Sequence, residues 1–203
     1  AMGRETGLDV TPKFILETFG MTNAMILRKI RGESLSDVDV LAYSDHKEQL
    51  YRDRARGTIV LMPGVRGFLD AMTAAGVDLA IGSSGVRKNL ELTVEEAGLR
   101  GRFRAIIAGE DVTRGKPDPQ VFLLAASRSG TPPAESMVFE DAPVGIRAAK
   151  AAGMLAIGVT SSHDADVLWE AGADVVVPDL SHCDVHELLS RVVSPADGPE
   201  CRR

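Results

Sequence analysis

The sequence has almost no cysteine. Cys183 and Cys201 are the only two in 203 residues. Two thiols, one of them in the polar tail PADGPECRR, make no disulfide framework, so a reducing compartment is expected. A basic excess is also missing. The net charge of −6 argues against a nucleic-acid partner, because such binders usually carry a basic face. A small phosphorylated substrate, by contrast, needs only one local cation. No apolar run approaches the roughly 18 residues of a membrane span, and no apolar signal-peptide core stands at the start. The expectation is a cytoplasmic protein with neither nucleic acid nor membrane as partner. Internal repeats and low-complexity stretches are absent as well. What is present is 44% hydrophobic and 26% charged residues, enough for one globular core with a smaller appended unit.

Strands are missing from the first 62 residues. TPKFILETFG and MTNAMILRKIRG carry apolar residues at helical spacing and end in Gly, and a longer polar helix is expected over residues 37–56. After Pro63 the pattern changes. Apolar runs at residues 77–84, 103–109, 136–141, 154–161 and 173–179 alternate with helical segments. This spacing predicts βαβ units, hence a parallel sheet covered on both faces. The fold class expected is α/β, a three-layer parallel-sheet core over residues 63–194, with a small α-helical cap over residues 1–62 and a disordered tail at 195–203.

Ligands of such sheets bind at the carboxyl ends of the strands. After the first run come Ser83 and Ser84, two hydroxyls before a helix, where backbone N–H groups favour an anion; Ser84 serves equally as a helix cap. After the second comes GKPDP (residues 115–119). Asp118 reads as a helix cap ahead of Pro119, while the turn-formers flanking Lys116 stiffen the loop and leave it either solvated or aimed inward. After the third come Glu140 and Asp141. Asp141 can cap the helix that opens at Pro143; Glu140 has no such role. Two carboxylates about 4 Å apart repel by about 4 kcal/mol at a protein-like dielectric. A divalent cation reverses that sign, and hard oxygen ligands near a phosphate suit Mg²⁺.

This order of motifs resembles the haloacid dehalogenase superfamily, in its β-phosphoglucomutase-like subgroup with a helical cap. LAIGSSG, GKPDP and VFEDAPVGIRAAKAAGM are similar to its second, third and fourth motifs. The resemblance implies Ser83 and Lys116 as catalytic and phosphate-binding groups, with the Ser84 N–H beside them, and Glu140 and Asp141 at a Mg²⁺ site. It implies phosphoryl transfer from a small phosphate ester such as a sugar phosphate, through a phospho-aspartate. Hydrolysis is the first expectation and mutase activity the second.

The superfamily's first motif, an apolar strand ending in DxDx(T/V) that supplies the nucleophile, has no counterpart. The DxD at Asp37-Val38-Asp39 reads as a helix start. Roughly 25 residues of strand, loop and helix are expected from elsewhere. In the superfamily that strand lies between those ending at Ser83 and Glu140, so its omission is expected to leave a gap of about 10 Å, two strand spacings. A longer parent sequence, a complementing segment or chain, and a rearranged sheet all remain open. So does a catalytically inactive phosphate or Mg²⁺ binder. Asn23, Arg28 and Lys29 are the cap candidates for substrate choice. GEDVTRGK fails as a P-loop, because Pro117 stands where Ser or Thr is required. His182, Cys183 and His186 make no tetrahedral zinc set, Cys183 lacks an activating neighbour, and Trp169 is expected in the core.

Overall fold

A computed structural model describes residues 11–18 and 21–192. The expected disordered tail, residues 195–203, and Cys201 lie outside them. The first part is helical: α1 (Pro12–Glu17), α2 (Asn23–Arg31) and α3 (Asp37–Ala55). Ser36 opens α3 by accepting the Asp39 N–H at 3.1 Å and donating its own hydroxyl to Asp39 Oδ2 at 2.6 Å. Asp37-Val38-Asp39 is thus the first turn of a helix.

The core then alternates: α4 (Val65–Ala74), β1 (Ala80–Gly82), α5 (Arg87–Glu96), β2 (Ala105–Ile107), α6 (Gln120–Ser129), β3 (Met137–Glu140), α7 (Pro143–Ala151), β4 (Leu155–Val159), α8 (Ala165–Glu170), β5 (Val175–Val177) and α9 (Val185–Arg191). On one face α6, α7 and α8 cover the strands, burying Ile107, Ile146, Ala156 and Leu168 to 0% exposure. On the other, Phe68 and Met72 of α4 meet Leu188 of α9 over Ile157 and Val177. Helices lie on both faces of parallel strands, so the three-layer α/β arrangement is present. Trp169 is not in the core. It is 49% exposed, because its neighbour Leu168 occupies the inward position of the short α8. No helix among the described residues is long and apolar enough to cross a membrane.

The sheet comes in two pieces. β1 pairs in parallel with β2, and β3, β4 and β5 pair in parallel in that order, with no ladder between β1 and β3. A cavity of about 540 Å³ lies between the pieces, bordered by Leu79, Ala80 and Gly82 on one side and Met137, Val138 and Phe139 on the other. Ala80 is exposed and Met137 and Phe139 are only half-buried. The Ser129 hydroxyl borders the same cavity, buried and without a hydrogen-bond partner among the described residues. The two strand edges thus border a slot. The ladders are also shorter than the apolar runs: residues 77–84 yield only Ala80–Gly82.

Candidate active site

Three loops at the carboxyl ends of β1, β2 and β3 meet in a second cavity of about 580 Å³, lined by Ser83, Ser84, Lys116, Glu140 and Asp141. Ser83 continues the β1 ladder, its N–H donating to the Ile107 carbonyl at 3.0 Å. Its Oγ accepts the Gly85 N–H at 3.0 Å, so the hydroxyl proton is free to point elsewhere. The Gly85 carbonyl accepts the Gly109 N–H at 2.9 Å. Gly109 has to be glycine there, since a Cβ would stand 2.6 Å from the Ser84 carbonyl oxygen.

Ser84 does not cap α5. Val86 holds that position without a side-chain bond, and the Arg87 N–H instead donates to both Glu110 oxygens at 3.1 Å. The anion-binding N–H at the start of α5 is thus already taken by a carboxylate of the protein.

Lys116 is 5% exposed, so it points inward. Its loop is stitched from behind: the Thr113 and Arg114 N–H groups donate to Gln120 Oε1 at 3.0 and 2.9 Å. Asp118 accepts the Gln120 N–H at 2.9 Å, but the capping residue of α6 is Pro119, one position later than the sequence suggested. The Lys116–Pro117 peptide is cis. Lys116 Nζ lies 3.3 Å from the Gly82 carbonyl oxygen and 4.7 Å from the Phe122 ring centre, and it forms an ion pair with Glu140. One ammonium therefore ties the end of β1 to the end of β3 across the slot. Glu140 lies flat on α7, where a Cβ at position 145 would fall 2.1 Å from its carboxyl carbon; only Gly145 admits it.

Asp141 does not cap α7. Ala142 is the capping residue and makes no side-chain bond. The Asp141 carboxylate turns to the loop after β4, where Oδ2 accepts the hydroxyls of Ser161 at 3.1 Å and Ser162 at 2.6 Å. The carbonyl of Asp141 faces His163 Nδ1 at 2.9 Å. A carbonyl only accepts, so Nδ1 carries the proton.

The charges of Glu140, Asp141 and Lys116 sum formally to −1. Lys116 answers part of the repulsion within the acid pair, and a negative charge at the cavity wall remains. Among the described residues no three His, Cys, Asp or Glu side chains cluster as a metal cage. Mg²⁺ does not require one: it binds through one or two carboxylates, several waters and phosphate oxygens. Asp141 lines the cavity and its Oδ1 has no hydrogen bond among the described residues, so the donor set fits that ion.

From the helical part the cavity receives Asn23, Lys47 and Glu48, and the core adds Asn89. Glu48 Oε1 accepts Asn23 Nδ2 at 2.6 Å and is ion-paired with Lys47; its Oε2 accepts Asn89 Nδ2 at 2.5 Å. Arg52 Nη1 donates to Asn89 Oδ1 at 3.0 Å. The network joins α3 to α5. Of the sequence candidates only Asn23 takes part: Arg28 is paired with Asp37 on the surface, and Lys29 stands 6.0 Å from the Phe14 ring. Lys47, Glu48 and Asn89 carried no signal, since a Lys-Glu pair in a polar helix reads as solvated surface.

Burial alone would raise the Glu48 carboxyl. The bonds from Lys47 and Asn23, the Lys47 charge and the Asn89 bond outweigh it and hold the group below the usual carboxylate range. A depressed folded-state pKa contributes stability above the unfolded value, lost as pH falls through the folded value. The Glu48→Gln variant is therefore expected to be less stable than wild type at neutral pH, with the difference shrinking at acid pH as the pH falls through the depressed folded-state value of Glu48. Urea unfolding at neutral and acid pH measures this. Elsewhere, burial first and the Asp179 charge second push the Cys183 thiol up, which keeps it protonated and unreactive.

The geometry has counterparts. The haloacid dehalogenase-like hydrolase family profile matches residues 2–159. Validoxylamine A 7'-phosphate phosphatase of Streptomyces hygroscopicus subsp. limoneus is 38% identical over 122 residues, 60% of this chain and 56% of that protein. The chloroplastic 5-amino-6-(5-phospho-D-ribitylamino)uracil phosphatase of Arabidopsis thaliana is 30% identical over 92% of this chain and 50% of its own length. The chain thus spans about half the length of these two relatives. The crystal structure of β-phosphoglucomutase from Clostridium difficile superposes with a TM-score of 0.84 at 21% identity, covering 94% of this chain and 86% of that one, a likeness of fold. With the profile covering most of the chain, including the loops that carry Ser83, Lys116, Glu140 and Asp141, the protein belongs to the haloacid dehalogenase-like hydrolase family.

Proposed function

We propose that this chain forms the cap and phosphate site of a Mg²⁺-dependent phosphatase acting on a small phosphate ester such as a sugar phosphate. The observation that carries the reading is the convergence of Ser83, Lys116, Glu140 and Asp141 on one cavity beneath the helical part. The phosphatase names of the two relatives support it.

In this reading the transferring phosphoryl group sits between the Ser83 hydroxyl, which donates to one oxygen, and the Lys116 ammonium, which neutralises charge spreading over the others. Glu140 holds Lys116 in place. Asp141, with Glu140 beside it, holds Mg²⁺, which when bound adds Lewis-acid neutralisation of the same charge. The nucleophile is an aspartate carried by a strand seated in the slot between β1 and β3. The slot opens at the site end, because Gly82 and Phe139 border both cavities. Water then releases phosphate from the phospho-aspartate. Asn23, Lys47, Glu48 and Asn89 face the remainder of the substrate with the acceptors and donors that a polyol takes. Mg²⁺-dependent hydrolysis of p-nitrophenyl phosphate, with the strand supplied, tests the reading; turnover is expected to need Asp141.

A further inference from the structure

Asp141 was free to do something simpler. It stands two residues before Pro143, where an aspartate commonly caps a helix, yet its carboxylate leaves α7 uncapped and reaches the loop after β4. The register explains the reach. β3 and β4 are parallel, with Glu140 opposite Gly158, so the residues after Val159 run alongside Asp141. That loop contributes contacts at three successive positions. The Ser161 and Ser162 hydroxyls both donate to Oδ2, the second at 2.6 Å, in the range of a charge-assisted bond. His163 holds the Asp141 carbonyl. Backbone and one carboxylate oxygen are thereby fixed, and Oδ1 is left without a hydrogen bond among the described residues on a side chain that lines the cavity.

We propose that Ser161 and Ser162 are positioning residues that commit Asp141 to binding a divalent cation through Oδ1. The inference rests on the phosphatase reading only in taking Asp141 as the metal carboxylate. Outer-shell partners of a ligating carboxylate typically govern metal affinity by 10–100-fold. Two hydroxyls on one oxygen orient the carboxylate and keep Oδ2 from turning to the metal.

The test is Mn²⁺ binding to the whole chain, followed by the loss of the free-ion electron paramagnetic resonance signal and paired with urea unfolding. Wild type, Asp141→Asn, Ser161→Ala, Ser162→Ala, the double alanine variant and Ser162→Thr are compared. The double variant is expected to bind Mn²⁺ about 10–100-fold more weakly, each single variant to fall between, and Ser162→Thr to stay near wild type because it keeps the hydroxyl. Unfolding midpoints of the single variants are expected to match wild type, which separates positioning from folding. If the double variant does not fold, the exposed Ser161→Ala decides alone. Wild-type affinity in the alanine variants, with binding lost in Asp141→Asn, overturns the positioning role and leaves the metal site standing. No Mn²⁺ binding by wild type, or undiminished binding by Asp141→Asn, overturns both.

Discussion

Lys116→Met is expected to cost the protein both its fold stability and its chemistry. Lys116 and Glu140 are 6% and 10% exposed at the side chain. A charge left alone at that depth is destabilising by about 3–5 kcal/mol, which for a chain of this length lowers the melting temperature by roughly 6–20 °C. The hydrophobic stem of methionine fills most of the space against Phe122, so the loss comes from the stranded carboxylate and not from a cavity. Lys116→Met combined with Glu140→Gln removes that carboxylate and is expected to recover most of the stability, since a buried pair replaced as a unit is often near neutral. Activity behaves differently. The double variant still lacks the ammonium, and loss of a preorganised positive donor at the transferring group lowers turnover by about 10²–10³-fold. A thermal melt and a turnover assay on the same variants separate the two effects. Recovery of turnover in the double variant would place the phosphate away from Lys116.

The second large effect concerns the slot. β1 and β3 both begin at the 540 Å³ cavity and both end at the 580 Å³ one, so they run the same way and present to each other backbone edges that no strand among the described residues pairs. Buried N–H and C=O groups need partners, and an extended segment between the strands supplies them on both sides at once. The Ser129 hydroxyl, without a hydrogen-bond partner among the described residues, borders the same space. A synthetic apolar strand ending in Asp-x-Asp, present at one hundred times its dissociation constant, stabilises the fold by about 2.7 kcal/mol. The melting temperature then rises by roughly 5–10 °C. A scrambled peptide of the same composition is expected to leave it unchanged. Equal shifts from both peptides, or none from either, would mean that the slot does not select a strand.

Much of this arrangement was legible in the sequence, because buried parallel strands are short apolar runs and the helices between them keep a 3.6-residue period. Ser83, Lys116, Glu140 and Asp141 could be singled out for one reason: each stands at the carboxyl end of a strand or in the loop after it. What failed was local capping logic. Ser84 and Asp141 stand where caps stand, but α5 receives its carboxylate from Glu110, 23 residues away, and Asp141 is held by serines 20 and 21 residues later. Strand register decides those partners, and a one-dimensional pattern does not contain register. Glu48 was invisible for a similar reason. Its burial comes from α3 meeting α5, and nothing in DHKEQLY marks one polar side chain as covered.

The decisive measurement is turnover of p-nitrophenyl phosphate with Mg²⁺ by this chain together with the Asp-x-Asp strand, beside the same mixture made with Asp141→Asn. Ser83, Lys116 and Asp141 acting as one pocket predict hydrolysis that requires strand, metal and Asp141 together. Hydrolysis that persists undiminished in the Asp141→Asn mixture would contradict it.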